Sequence, residues 1–156
     1  MKDKLKCMDT IPQGVFIIGT RMNETYNFMT AAFVTQVSFN PCSLAVSIAN
    51  AHYTADLIKE QGQFSVSVLA QTQKKEAIAC GFQSGRKTDK SKRVEFRLTE
   101  QGLPVISGAA SYMICKVKQT VVYEDHTVFF AEIEDGECTD APAMVYVSTD
   151  FFPGKS

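Results

Sequence analysis

Apolar residues recur along this chain with a period of two, and no other feature of the sequence limits its fold as strongly. Phe33, Thr35, Val37 and Phe39 alternate with Val34, Gln36 and Ser38. Leu44, Val46 and Ile48 alternate with Ala45, Ser47 and Ala49, and Phe64, Val66 and Val68 alternate with Ser65 and Ser67. Val94, Phe96 and Leu98 alternate with Glu95 and Arg97. Successive side chains of a strand point to opposite faces, so each stretch reads as a strand with two different sides. Val15–Thr20 is an apolar, β-branched run, and a last strand is expected at Ala143–Val147. Ser111–Tyr123 and Thr127–Glu134 flank Glu124-Asp125-His126 as the arms of a hairpin flank its turn. Two short helices interrupt the strands. Thr54 can cap Ala55–Gln61, with Asp56 in the first turn and Gly62 just past the end. The second helix is expected at about 72–80, stopping near Gly81. Seven or so strands with few helices predict a mainly β fold, a closed or nearly closed antiparallel barrel that removes exposed edges.

The chain has 156 residues, 45% of them apolar, which suits one domain over 1–156 with a real core. A formal net charge of -1 argues against bulk attraction to nucleic acid or anionic lipid. No apolar run approaches the ~18–20 residues that span a bilayer. Met1–Asp9 is charged and lacks the apolar centre of a secretory signal, so a cytoplasmic protein is expected. Five cysteines stand at 7, 42, 80, 115 and 138, without C-x-x-C or C-x-x-H spacing. They read as reduced thiols acting as small hydrophobes, and no metal site is expected.

Charge is uneven. Residues 84–97 hold six Lys/Arg and two acids, whereas residues 124–140 hold seven acids and no Lys/Arg. Each run is compatible with a solvated loop; the basic one equally suits a phosphorylated ligand, or the two suit each other across a dimer. The Gly-rich phosphate loops, the G-x-S-x-G elbow and a carboxylate pair set across a cleft are all missing from the sequence. Chemistry without a side-chain constellation points to a cofactor. Three stretches suit one. Small residues at Thr30–Ala32, within Phe28–Phe33, let a flat ring approach the backbone, or simply pack in a barrel strand. Ser47–Thr54 joins a strand to a helix start, where free N–H groups, the Thr54 hydroxyl and the Asn50 amide suit a phosphate, or where Thr54 is an ordinary cap. Phe82–Lys90 offers Ser84, Arg86, Lys87 and Lys90 to the same anion.

Thr30-Ala31-Ala32-Phe33-Val34-Thr35-Gln36-Val37-Ser38-Phe39-Asn40-Pro41 resembles the T-A-x-x-x-[TS]-x-[VI]-S-x-x-P segment of the flavin reductase-like FMN-binding split-barrel family. The family's other segments follow in order: the turn into a short helix at Asn50–Ile58, the strand Phe64–Leu69, the loop Phe82–Lys90, Gly102-Leu103-Pro104, and Asp125–Ile133. The likeness runs from about residue 9 to 147. Three positions depart from the pattern: Cys42 replaces a frequent proline, Asn50 a basic phosphate ligand of some members, and Ala131 a frequent glycine.

The resemblance implies a split antiparallel β-barrel with two or three short helices, and a homodimer binding FMN, with FAD as the alternative. It implies an isoalloxazine along Met29, Thr30, Ala31, Ala32 and Phe33, and a phosphate near Ser47, Ile48, Asn50 and Thr54. Phe82, Ser84, Arg86 and Lys90 would complete the cofactor site, and His126 would lie near the flavin or the nicotinamide. The implied activity is that of an NAD(P)H:flavin oxidoreductase. Hydride from NAD(P)H reduces the flavin, and electrons pass to free flavin, a ferric complex or a small redox protein such as a rubredoxin. The alternatives are an FMN-binding electron-transfer protein without nicotinamide activity and a ligand-binding barrel without flavin.

Overall fold

The structure is a computed structural model that describes residues 3–81 and 89–152. A short helix α1 (Lys4–Met8) leads into strands β1 (Phe16–Met22), β2 (Thr25–Ala31), β3 (Val34–Phe39) and β4 (Cys42–Ala49). Helix α2 (Tyr53–Gln61), strand β5 (Gln63–Val68) and helix α3 (Lys74–Gly81) follow. A single 3₁₀ turn at Lys90–Lys92 precedes β6 (Phe96–Leu98), β7 (Pro104–Ile106), β8 (Ser111–Tyr123), β9 (His126–Cys138) and α4 (Ser148–Phe151).

Seven strands form one antiparallel sheet in the order β2-β1-β5-β8-β9-β4-β3, and β6-β7 form a small hairpin beside it. β2 and β3 stand at opposite edges of the sheet, yet only Ala32 and Phe33 separate them in sequence. Seven strands laid flat at ~4.8 Å spacing would hold those edges roughly 29 Å apart. The step from Ala31 to Val34 reaches no more than about 11 Å. The sheet therefore curls until its edges meet at this two-residue link. It does not close there by hydrogen bonds, so the barrel is the split one that the resemblance implies, with its seam at Ala32–Phe33.

The curl creates an inside and an outside. Ile18, Met29, Val46, Ile48, Phe64, Val66, Cys115 and Phe129 fill the barrel, and Ala55 and Ile58 of α2 pack into the same cluster. The outer face of β1 and β2 is buried too: Ile17 and Phe28 join Ala77 and Cys80 of α3 in a second cluster. A third, smaller cluster of Leu103, Val105 and Ile114 lies under the β6-β7 hairpin. Fully burying an aliphatic or aromatic side chain contributes ~1.5–3 kcal/mol, so these clusters dominate the fold's stability. Turns follow local chemistry. Asn23 takes the left-handed φ of 56° in the two-residue β1-β2 turn, a conformation its short polar side chain tolerates. Gly62 ends α2 at φ 70°, its N–H donating to Ile58 O at 2.8 Å.

Several expectations change. β2 and β7 were not foreseen as strands, and the expected strand at 94–98 shrinks to β6. The expected strand at Ala143–Val147 reduces to two isolated bridges, Ala70 with Ala143 and Gly14 with Val145. The cap of α2 is His52, without a side-chain hydrogen bond, while Thr54 is buried inside the helix. The first turn of α2 faces the sheet, so Thr54 turns inward to β2.

Gly19 of β1 sits where the β7 backbone crosses it. A Cβ there would lie 2.6 Å from Pro104 O and collide with Ser65 Oγ. Gly19→Ala is expected to cost about 1–3 kcal/mol, the usual penalty of overpacking, read as a lower urea midpoint at unchanged slope.

Candidate functional site

The seam gathers the expected site stretches. Phe33 O accepts from Ser47 N at 3.0 Å, which ties the end of the β2-β3 link to β4. His126 opens β9 opposite Ala49, and its ring centroid lies 5.8 Å from that of Phe33. His126 Nδ1 stands 2.7 Å from Asp125 Oδ1. The hydrogen bond to His126 holds the Asp125 carboxyl below the usual carboxylate range.

A cleft of about 360 Å³ opens beside the seam. Thr30, Ala31, Ala32 and Phe33 form one wall, and Ala77 and Gly81 of α3 form another. The remaining walls come from both ends of the chain: Leu5, Met8 and Ile11 at and after α1, and Tyr146, Phe151 and Phe152 at and around α4. Tyr146 and Phe151 stack with ring centroids 5.6 Å apart and planes within 8°. Thr30 Oγ1 donates to Ala77 O at 2.6 Å, and a Cβ on Gly81 would stand 3.4 Å from Thr30 Cβ, so α3 lies close against β2.

The other expected ligands divide. Met29, Ala31 and Ile48 belong to the barrel core, so their backbones rather than their side chains can meet a ligand. Ala32 is half-buried and lines the cleft. Asn50 fastens the end of β4 to the β8-β9 hairpin: its N–H donates to Asp125 O at 2.9 Å, its Nδ2 to Glu124 O at 3.0 Å, and its Oδ1 accepts from Thr127 Oγ1 at 2.6 Å. The Thr54 hydroxyl accepts from Asn27 Nδ2 at 2.8 Å in a buried contact between α2 and β2. Lys90 is buried, and its ammonium donates to Cys80 O at 2.7 Å and Phe28 O at 3.1 Å. Phe82, Ser84 and Arg86 lie outside the described residues.

Sequence reasoning passed over the walls contributed by the two terminal segments. Their one signal is the cluster of aromatics at 146, 151 and 152, spaced for neither a strand nor a helix face. His52, within the expected stretch Ser47–Thr54, caps the start of α2 through its backbone. Surrounding protein, then Lys90, then His126 push the His52 pKa below its usual value near 6.5. All five cysteines are free thiols, and burial pushes Cys80 and Cys115 each up to about 12, where they stay protonated and inert.

A flat, largely apolar ring fits this site. The lining is mostly aliphatic and aromatic, and Ala32 and Gly81 leave room for a plane. Residues 8–155 match the flavin reductase like domain family, and the chain belongs to that family. The chain is 31% identical over 132 residues to the high molecular weight rubredoxin of Moorella thermoacetica, covering 83% of this chain and 58% of that protein. It is 30% identical over 139 residues to the ferric-chelate reductase (NAD(P)H) of Archaeoglobus fulgidus, covering 87% and 82%. Among solved structures, the flavin reductase PheA2 in its native state superposes with a TM-score of 0.83 at 30% identity, covering 95% of each chain. The chain thus spans less than two thirds of the length of the Moorella relative. Among the described residues, no helix is long and apolar enough to cross a membrane.

Two outcomes follow from this geometry. Thr54→Ala removes the nearer acceptor of the buried Asn27 amide, leaving Thr20 Oγ1 at 3.4 Å, and is expected to lower stability by about 1–3 kcal/mol, measured by urea unfolding. The depressed His52 pKa contributes stability that is present above pH 6.5 and is lost as the pH falls through the lowered folded value. Between pH 7.5 and pH 5 the wild-type melting temperature should therefore fall more than that of His52→Gln.

Proposed function

We propose that this chain is an FMN-dependent oxidoreductase, a flavin reductase that takes hydride from NAD(P)H and passes electrons to an acceptor. The observation that carries the reading is the seam. The end of β2 and the link after it put the small residues Thr30, Ala31 and Ala32 along a mostly apolar cleft beside the split in the barrel. Bound flavin, FMN or FAD, supplies a ring that accepts hydride and releases electrons, chemistry that no side-chain cluster of this site supplies.

The chain's own residues bind and orient. The backbone of Met29–Phe33 lies along the ring, with Ala32 and Gly81 admitting it. The start of α2 and His52 favour the phosphate, together with the Ser47 end of β4. His126 and Phe33 border the open side and orient the nicotinamide against the ring; holding two reactants in near-attack geometry is worth ~7–11 kcal/mol of barrier. Tyr146, Phe151 and Phe152 exclude water from the opposite side. Hydride transfer requires no protein acid or base, which suits a site without a buried carboxylate pair.

The acceptor is free flavin, a ferric complex or a small redox protein such as a rubredoxin. The names of the Archaeoglobus and Moorella relatives support the second and third of these. The proposal includes a homodimer. β3 is an edge strand, and Phe39 on it is 93% exposed with Val37 also exposed, an apolar edge that a second copy would cover.

FMN titrated into the protein should bind, and NADH or NADPH added anaerobically should bleach the flavin absorbance rapidly. Flavin that stays yellow with both nucleotides would make the chain an electron-transfer protein without nicotinamide activity, and failure to bind FMN or FAD would remove the proposal. Ala32→Leu should weaken FMN binding about tenfold or more, a loss of about 1.4 kcal/mol. His126→Ala should slow flavin reduction about ten- to a hundredfold in stopped flow with little change in FMN affinity. Light scattering should give twice the chain mass, and Phe39→Lys should halve it.

A further inference from the structure

Lys90 is 5% exposed, and among the described residues its ammonium donates to two main-chain carbonyls, Cys80 O at 2.7 Å and Phe28 O at 3.1 Å. Among the described residues no carboxylate stands within ion-pair distance of it. Burying an ammonium without a counter-charge is costly, and carbonyl dipoles recover only part of the loss. The Cys80 carbonyl lies in the last turn of α3, where the helix dipole favours a cation, but this offsets only part of that cost.

The place of the ammonium supplies a reason. Phe28 stands two residues before Thr30 on β2, about 7 Å along the strand. Cys80 adjoins Gly81, and both Thr30 and Gly81 line the cleft. The ammonium thus lies directly behind the wall at which α3 meets β2. A cation held in a dry wall acts on the cleft through a low dielectric, where its field is strong and salt screens it little.

We propose that Lys90 is a positioning residue whose buried charge tunes the cleft to hold a flavin more tightly once reduction has made it more negative. The proposal rests on the flavin reading given above and deepens it: Lys90 raises the midpoint potential of the bound flavin without touching it. The two carbonyl contacts also fix α3 against β2, so the charge keeps its distance from the ring.

The test uses the whole chain loaded with FMN. Wild type, Lys90→Met, Lys90→Gln and Lys90→Arg are compared for folding by circular dichroism, for FMN affinity by absorbance titration, and for midpoint potential by spectroelectrochemistry. Lys90→Gln keeps a donor for one carbonyl while removing the charge, and Lys90→Arg keeps the charge. Both neutral variants are expected to lose at least tenfold more affinity for reduced than for oxidised FMN, a fall of about 30 mV for the two-electron couple. Lys90→Arg is expected to stay near the wild-type potential. A folded neutral variant that binds FMN at the wild-type potential overturns the proposal, and so does loss of the fold in both neutral variants, since the ammonium would then serve only the architecture. Wild-type protein that binds no flavin would instead overturn the flavin reading on which the proposal rests.

Discussion

A two-residue link between the opposite edges of one sheet governs this structure. Because Ala32 and Phe33 alone connect β2 to β3, the sheet cannot lie flat, and the barrel, its core and its opening all follow. The link cannot itself join the ladder that would complete the barrel, since it is the chain turning from one edge to the other. The same few residues therefore create the barrel and leave it open. On the β2 side the opening is lined by Thr30, Ala31 and Ala32, while Met29 points into the core and the Thr30 hydroxyl faces α3.

The surrounding elements make that opening a site. α3 closes one side through the Thr30 hydroxyl and the close approach of Gly81. The β8-β9 hairpin closes another through Asn50, which bonds to Glu124, Asp125 and Thr127 and so sets His126 beside Phe33. The charge pattern divides accordingly. Lys90 and His52 sit in or beside the protein wall, whereas Asp125 and its acidic neighbours in the hairpin face solvent.

Strands whose alternate residues differ were legible in the sequence, because alternation marks them, as in β4; the two long strands of the hairpin were legible from the turn between them. β2 was not, because both its faces are buried: Phe28 packs outward under α3 and Met29 inward, and the period of two disappears. β6 and β7 have three residues each, too few to show a period. That Thr30–Phe33 would border a cleft was readable from its small residues. The partners that Thr54, Asn50 and Lys90 take within the protein were not, because composition cannot say which partner takes a polar group. Thr54 looks like a helix cap until Asn27, on the unforeseen strand, takes its hydroxyl. Lys90 belongs to a basic run that reads as solvated, yet its stem lies inside the protein and its head on two carbonyls.

The central claim is that the seam at Ala32–Phe33 receives the flavin ring, and a crystal structure of the protein grown with FMN tests it most directly. The account predicts the ring lying against the backbone of Thr30–Phe33, with its phosphate toward the start of α2. Flavin bound elsewhere on the surface, with the seam filled by the protein's own side chains, would contradict it.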